Sequence, residues 1–219
     1  MKGAPPGADT PRMRWRPVKP WQCWAVLAWC LALGWCAFVR DIRVPVLRFV
    51  NLGFHELGHL IMYIVPINDV LTAAMGSVMQ CLVPLGLAFY FLVLRRDQLA
   101  SAACLAWAAT NFQEAAVYIA DAPYERLQLI GGEHDWAFVL GPDHLDRLDR
   151  AASIASTVRG IGVVVLLIAI AGCVAAMVRA LRSPETPERS GLPPTALEPA
   201  SGTLLSHRTE GGAYPARTP

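Results

Sequence analysis

The stretch NLGFHELGHLIMYIVP, residues 51–66, places two histidines and a glutamate inside an otherwise apolar run. On a helix, His55 and His59 lie four residues apart, so both side chains leave the same face, one turn above the other. Glu56 points to the neighbouring side. A charged side chain in the middle of a bilayer costs about 2.5 kcal/mol or more, so a glutamate there needs a partner. Two imidazoles at this spacing can grip one zinc ion. A carboxylate beside them can take a proton from a zinc-bound water, which zinc makes acidic. The stretch therefore reads as a membrane-embedded helix that binds metal.

The rest of the chain supports the membrane setting. Of its 219 residues, 54% are hydrophobic and only 16% are charged, whereas a soluble domain carries about a quarter charged. The charges gather at the ends and in short clusters, which leaves five apolar blocks at about residues 21–39, 44–67, 70–94, 99–120 and 154–181. The expected fold is all-α, a multi-pass transmembrane helical bundle of about five spans occupying residues 21–182. A basic, disordered N-terminus precedes it at 1–20. A disordered tail rich in Pro, Ser and Thr follows at 183–219. The first block is long and Trp-rich and lacks a small-x-small cleavage site, so it reads as an uncleaved span. A tight turn at Ile67-Asn68-Asp69 joins the second and third spans. Between the fourth and fifth lies a polar insert. Its second half predicts a short amphipathic helix, begun by Pro142 and Asp143, with Leu145 and Leu148 on one face and Asp146 paired with Arg150. Arginines flank the spans on both sides in nearly cancelling numbers, so charge does not fix the orientation.

Several function classes drop out. A net charge of +2 without a basic, aromatic-interleaved patch excludes a nucleic-acid partner. The six cysteines lie in apolar blocks without a CxxC pair and read as small buried residues. Haem needs axial ligands from opposite sides of its ring, which two histidines on one helical face cannot supply. Di-iron membrane hydroxylases use more histidines than the five present.

A catalytic zinc needs a third protein ligand and an open position. GGEHDW, residues 131–136, offers it: after Gly131 and Gly132 the chain is free to dip back, and Asp135 supplies an oxygen or His134 a nitrogen. Glu114 is a rival. It shares a stripe of the fourth span with Thr110, Tyr118 and Asp121, and an intramembrane carboxylate suggests function in its own right. Its expected role is to orient a ligand or line a water path. Asn51, one turn before His55, is placed to bond a ligand histidine or a substrate. His144 and His207 read as exposed.

FHELGH in an apolar helix, followed by the glycine-marked hairpin MGSVMQCLVPLG, resembles the site-2 protease group of intramembrane zinc metalloproteases, the peptidase M50-like families. The resemblance covers about residues 45–140. It implies a zinc-dependent endopeptidase of the cell membrane that cuts a membrane-protein or peptide substrate in or near the lipid bilayer. In that reading His55, His59 and Asp135 hold Zn2+ and Glu56 activates the water. The family's third ligand usually comes from an Asp-Gly motif, often preceded by proline. This chain has GGEHDW there, so Asp135 corresponds by position only. Gln80 stands where the family often has Asn. The competing class is a non-enzymatic metal-binding scaffold or transporter component on the same helices.

Overall fold

The structure, a computed structural model, describes residues 15–65, 67–129 and 133–182. Most of the expected disordered N-terminus, the tail with His207, and Gly131 with Gly132 lie outside these residues. The described residues are helical, with no strand among them. Helix α1 spans Pro20–Gly34 and continues through a wider π turn, Trp35–Val39. Helix α2 spans Pro45–Ile64, with proline at its first turn, where a missing N–H costs nothing. Helix α3 spans Asp69–Phe89 and also ends in a π turn, Tyr90–Leu94. Helix α4 spans Gln98–Asp121, the short α5 spans Asp135–Leu140, and α6 spans Ala151–Arg182. The α2–α3 connection is closed by Asn68, whose side-chain oxygen accepts from the N–H groups of Val70 and Leu71.

Three of these stretches, Pro20–Val39, Asp69–Leu94 and Leu148–Arg182, are long and apolar enough to cross a membrane. Helices also form at the two remaining expected blocks. Their composition differs, however: α2 carries Arg48, His55, Glu56 and His59, and α4 carries Asn111, Gln113 and Glu114.

Helix α4 packs against α1, α3, α5 and α6. Its buried face is largely alanine, including Ala102, Ala106, Ala109 and Ala116, and small side chains let helix axes approach closely where no water drives association. Helix α6 meets it at Gly162, where a Cβ would lie 2.9 Å from Phe112 Cβ and 3.1 Å from the Ala109 carbonyl oxygen. Helices α2 and α3 meet at Gly58, where any Cβ would collide with the Met75 carbonyl. This crossing brings the histidine face of α2 against α3. Below it, α5 sits on Ala116, Ile119, Ala122, Ala151 and Ala155 through its own Val139 and Leu140.

The amphipathic helix expected over 142–150 does not form. Residues 141–147 make successive turns, with Asp146 at φ 50° in the left-handed region, and only Leu148–Arg150 winds into a single 3₁₀ turn. A non-glycine residue at positive φ breaks helical propagation.

A separate polar cluster ties the connector after α1 to α4 and α6. Asp41 Oδ1 accepts from Gln113 Nε2 at 2.9 Å and from Arg159 Nη1 at 3.2 Å. Arg159 Nη2 also donates to the Phe38 carbonyl at 2.9 Å.

Candidate metal centre

Three side-chain atoms from two helices converge on one point. His55 Nε2 is 3.1 Å from His59 Nε2 and 3.0 Å from Asp135 Oδ2, and His59 Nε2 is 3.4 Å from that same oxygen. The imidazoles and the carboxylate are 12%, 13% and 18% exposed, so they are largely shielded from solvent.

The other ring nitrogens are already occupied. His59 Nδ1 lies 2.8 Å from the Thr72 carbonyl, which can only accept, so Nδ1 carries the proton and Nε2 presents a lone pair. His55 Nδ1 lies 3.2 Å from Gln80 Oε1, with the same consequence. Such outer bonds fix tautomer and ring orientation in metal sites. Three acceptor atoms this close repel unless a cation lies among them. A proton can serve one pair; a metal ion serves all three at once. In a tetrahedral site with bonds of about 2.0–2.1 Å, ligand atoms lie about 3.3 Å apart. The separations here, 3.0, 3.1 and 3.4 Å, fall near that edge. His55, His59 and Asp135 are thus able to hold a metal ion.

Backbone shape keeps the place open. A Cβ on Gly76 would lie 2.5 Å from His59 Nε2, 2.6 Å from His55 Nε2 and 2.7 Å from His55 Cε1, pressed against both rings. Only glycine leaves that space free.

Asp135 is held from two sides. Its backbone N–H donates to the Tyr118 hydroxyl oxygen at 3.0 Å, and that hydroxyl donates to Asp135 Oδ2 at 3.3 Å. Next to it, Trp136 Nε1 donates to Ser77 Oγ at 3.0 Å and pins α5 to α3.

The neighbouring His134 turns away from this point. It caps α5, its Nδ1 accepting from the Ala137 N–H at 3.1 Å, and its Nε2 lies 3.4 Å from Asp121 Oδ2. Asn51 bonds neither histidine. Its Nδ2 donates to Glu114 Oε2 at 3.1 Å and its Oδ1 accepts from Trp107 Nε1 at 2.8 Å. Glu114 therefore sits away from the three converging atoms and on the wall of the adjoining cavity. That cavity, about 790 Å³, is also lined by His55, Glu56, His59 and Asp135, and Glu56 is exposed to it. The sequence left three contributors unassigned: Thr72, Gly76 and Gln80. Gly76 stood in the hairpin motif, and Gln80 stood where the resembled family often has Asn. Thr72 gave no signal, because its main chain does the work.

No protein-family model matches the chain, and no curated protein or solved structure is significantly similar to it.

Proposed function

We propose that this protein is a zinc-dependent intramembrane endopeptidase that cuts a peptide bond in or near a membrane segment of another protein. The observation that carries this reading is the convergence of three lone-pair atoms, at tetrahedral-edge spacing, beside an open cavity that also receives Glu56. His55, His59 and Asp135 would hold the zinc, leaving its cavity side open. Bound there, zinc would supply Lewis acidity, lowering the pKa of a coordinated water and polarising a carbonyl.

The chain's own groups do the rest. Glu56 stands next to His55 without a ligand role and is exposed to the cavity, so its carboxylate is free to take a proton from the attacking water and deliver it to the leaving amine. Gln80 and the Thr72 carbonyl fix the tautomer of both imidazoles and turn them to the site. Tyr118 keeps the Asp135 oxygen in place. The reading includes α2 and α4 crossing the cell membrane with the three more apolar helices. In that arrangement their polar side chains meet metal, cavity water or one another instead of lipid.

The first measurement is zinc per chain in detergent-purified protein. About one zinc is expected in the wild type, lost in His59→Ala and Asp135→Ala while the fold persists. A metal-free wild type would sink the reading. Glu56→Gln then separates enzyme from scaffold: it keeps the zinc in both cases, but only an enzyme loses cleavage of a membrane substrate.

A further inference from the structure

Arg43 and Arg48 stand at the N-terminal end of α2 and line the same cavity as His55, Glu56 and His59. Arg48 precedes His55 by seven residues, about 10 Å along the helix. The other arginines with described side-chain bonds are engaged within the chain: Arg16 pairs with Asp97, Arg159 with Asp41, Arg179 bonds Gln98, and Arg147 donates to the Asp146 carbonyl. Arg43 and Arg48 take part in none of the described ion pairs. Arg48 rests 5.0 Å over the Phe49 ring, a contact that leaves its N–H groups free. Both guanidiniums act electrostatically on Glu114, whose Oε2 already accepts from Asn51. The first turn of α2 adds to the positive field, because Val44 gives it no side-chain cap and its first N–H groups remain unpaired. One end of the cavity thus collects donors of positive charge, and the other collects the converging acceptors.

We infer that Arg43 and Arg48 form a subsite for a carboxylate of the peptide bound in this cavity. An extended chain covers about 3.4 Å per residue, which puts that carboxylate about three residues from the bond held at His55 and His59. The guanidinium fork suits a carboxylate, taking both oxygens at once. The inference rests on the peptidase reading and adds a substrate class to it: peptides with an acidic side chain or a free C-terminus at that distance.

The test uses the full chain in zwitterionic nanodiscs, with Glu56→Gln to prevent turnover. Three fluorescent peptides of twelve residues are compared: one with a single Asp and an amidated end, one with Asn in its place, and one neutral with a free C-terminus at the same spacing. At low salt at least one carboxylate peptide should bind about fivefold more tightly than the Asn peptide. This preference should shrink with added salt and vanish in Arg43→Gln/Arg48→Gln. The corresponding lysine pair, which keeps the charge but not the fork, should retain part of it. Equal binding of all three peptides overturns the inference, as does a preference that survives the double glutamine change. If that change instead weakens only retention on anionic-lipid vesicles, the arginines serve lipid phosphates and the inference falls. Zinc content and cleavage by the chain with Glu56 intact report on the peptidase reading separately. Cleavage without charge preference removes this inference alone, whereas charge preference without cleavage leaves a peptide-binding cavity.

Discussion

Two polar clusters lie among these helices, and they are built on opposite principles. Around Asp41, one acceptor oxygen meets two donors, and the remaining arm of Arg159 finds a main-chain carbonyl. Each of these oxygens meets an N–H donor from the chain itself, although the buried Gln113 Oε1 has no partner. Around His55, three acceptors meet one another, and the donors that might have balanced them are spent on Thr72 and Gln80. The first arrangement joins helices. The second leaves three atoms together that are able to hold a metal ion. A polar group in an apolar fold is therefore not informative by its presence alone; what matters is whether its neighbours close the account.

The contrast can be broken most severely at the three converging atoms. His59→Ala, Asp135→Ala and Gly76→Ala should each take zinc from about one per chain to near none, read by elemental analysis. Gly76→Ala is the most telling of these, because it removes no ligand and only pushes the two imidazoles from their places. Retention of zinc in Gly76→Ala would show that the ion does not need the imidazoles in this placement.

Glu56→Gln should leave zinc in place and slow cleavage by about 10²–10⁴-fold, the range for losing a positioned general base, in a single-turnover assay. Gln80→Leu releases one imidazole from its brace. It should weaken zinc about 10–100-fold in a chelator competition while the helical circular dichroism stays unchanged. At the Asp41 cluster the expected effect is smallest. Asp41→Asn combined with Arg159→Gln should lower stability by about 1 kcal/mol or less, since these side chains are 61% and 40% exposed and surface pairs contribute little. Zinc content should not move. If it did, the two clusters would be coupled and the distinction between them would fail.

How much of this could be read from the residues varies with the range of the interaction. The pairing of His55 with His59 follows from helical spacing, and the helices at all five apolar blocks follow from hydropathy and their caps. Which of two adjacent residues, His134 or Asp135, faces the histidines is not a matter of composition. Aspartate is the better helix cap by propensity, yet the chain caps α5 with His134 and frees Asp135 for Tyr118 and the imidazoles. Asn51 shared a stripe with His55, but its partners, Glu114 and Trp107, come from another helix and leave no local signature. The turns at 141–147 escaped for a related reason. The amphipathic spacing there is genuine, but the chain must reverse between α5 and α6, and Asp146 takes the left-handed conformation to do it.

The bond from His59 to the Thr72 carbonyl has a consequence for variation along this chain. A main-chain oxygen belongs to every amino acid, so the histidine would keep its bearing with valine, serine or alanine at position 72. What it would not survive is a residue added or lost between Ile64 and Thr72, which would rotate α3 by about 100° and carry the carbonyl out of reach. That stretch encodes its contribution as a distance along the chain, and tolerance of substitution there is fully compatible with intolerance of a change in length.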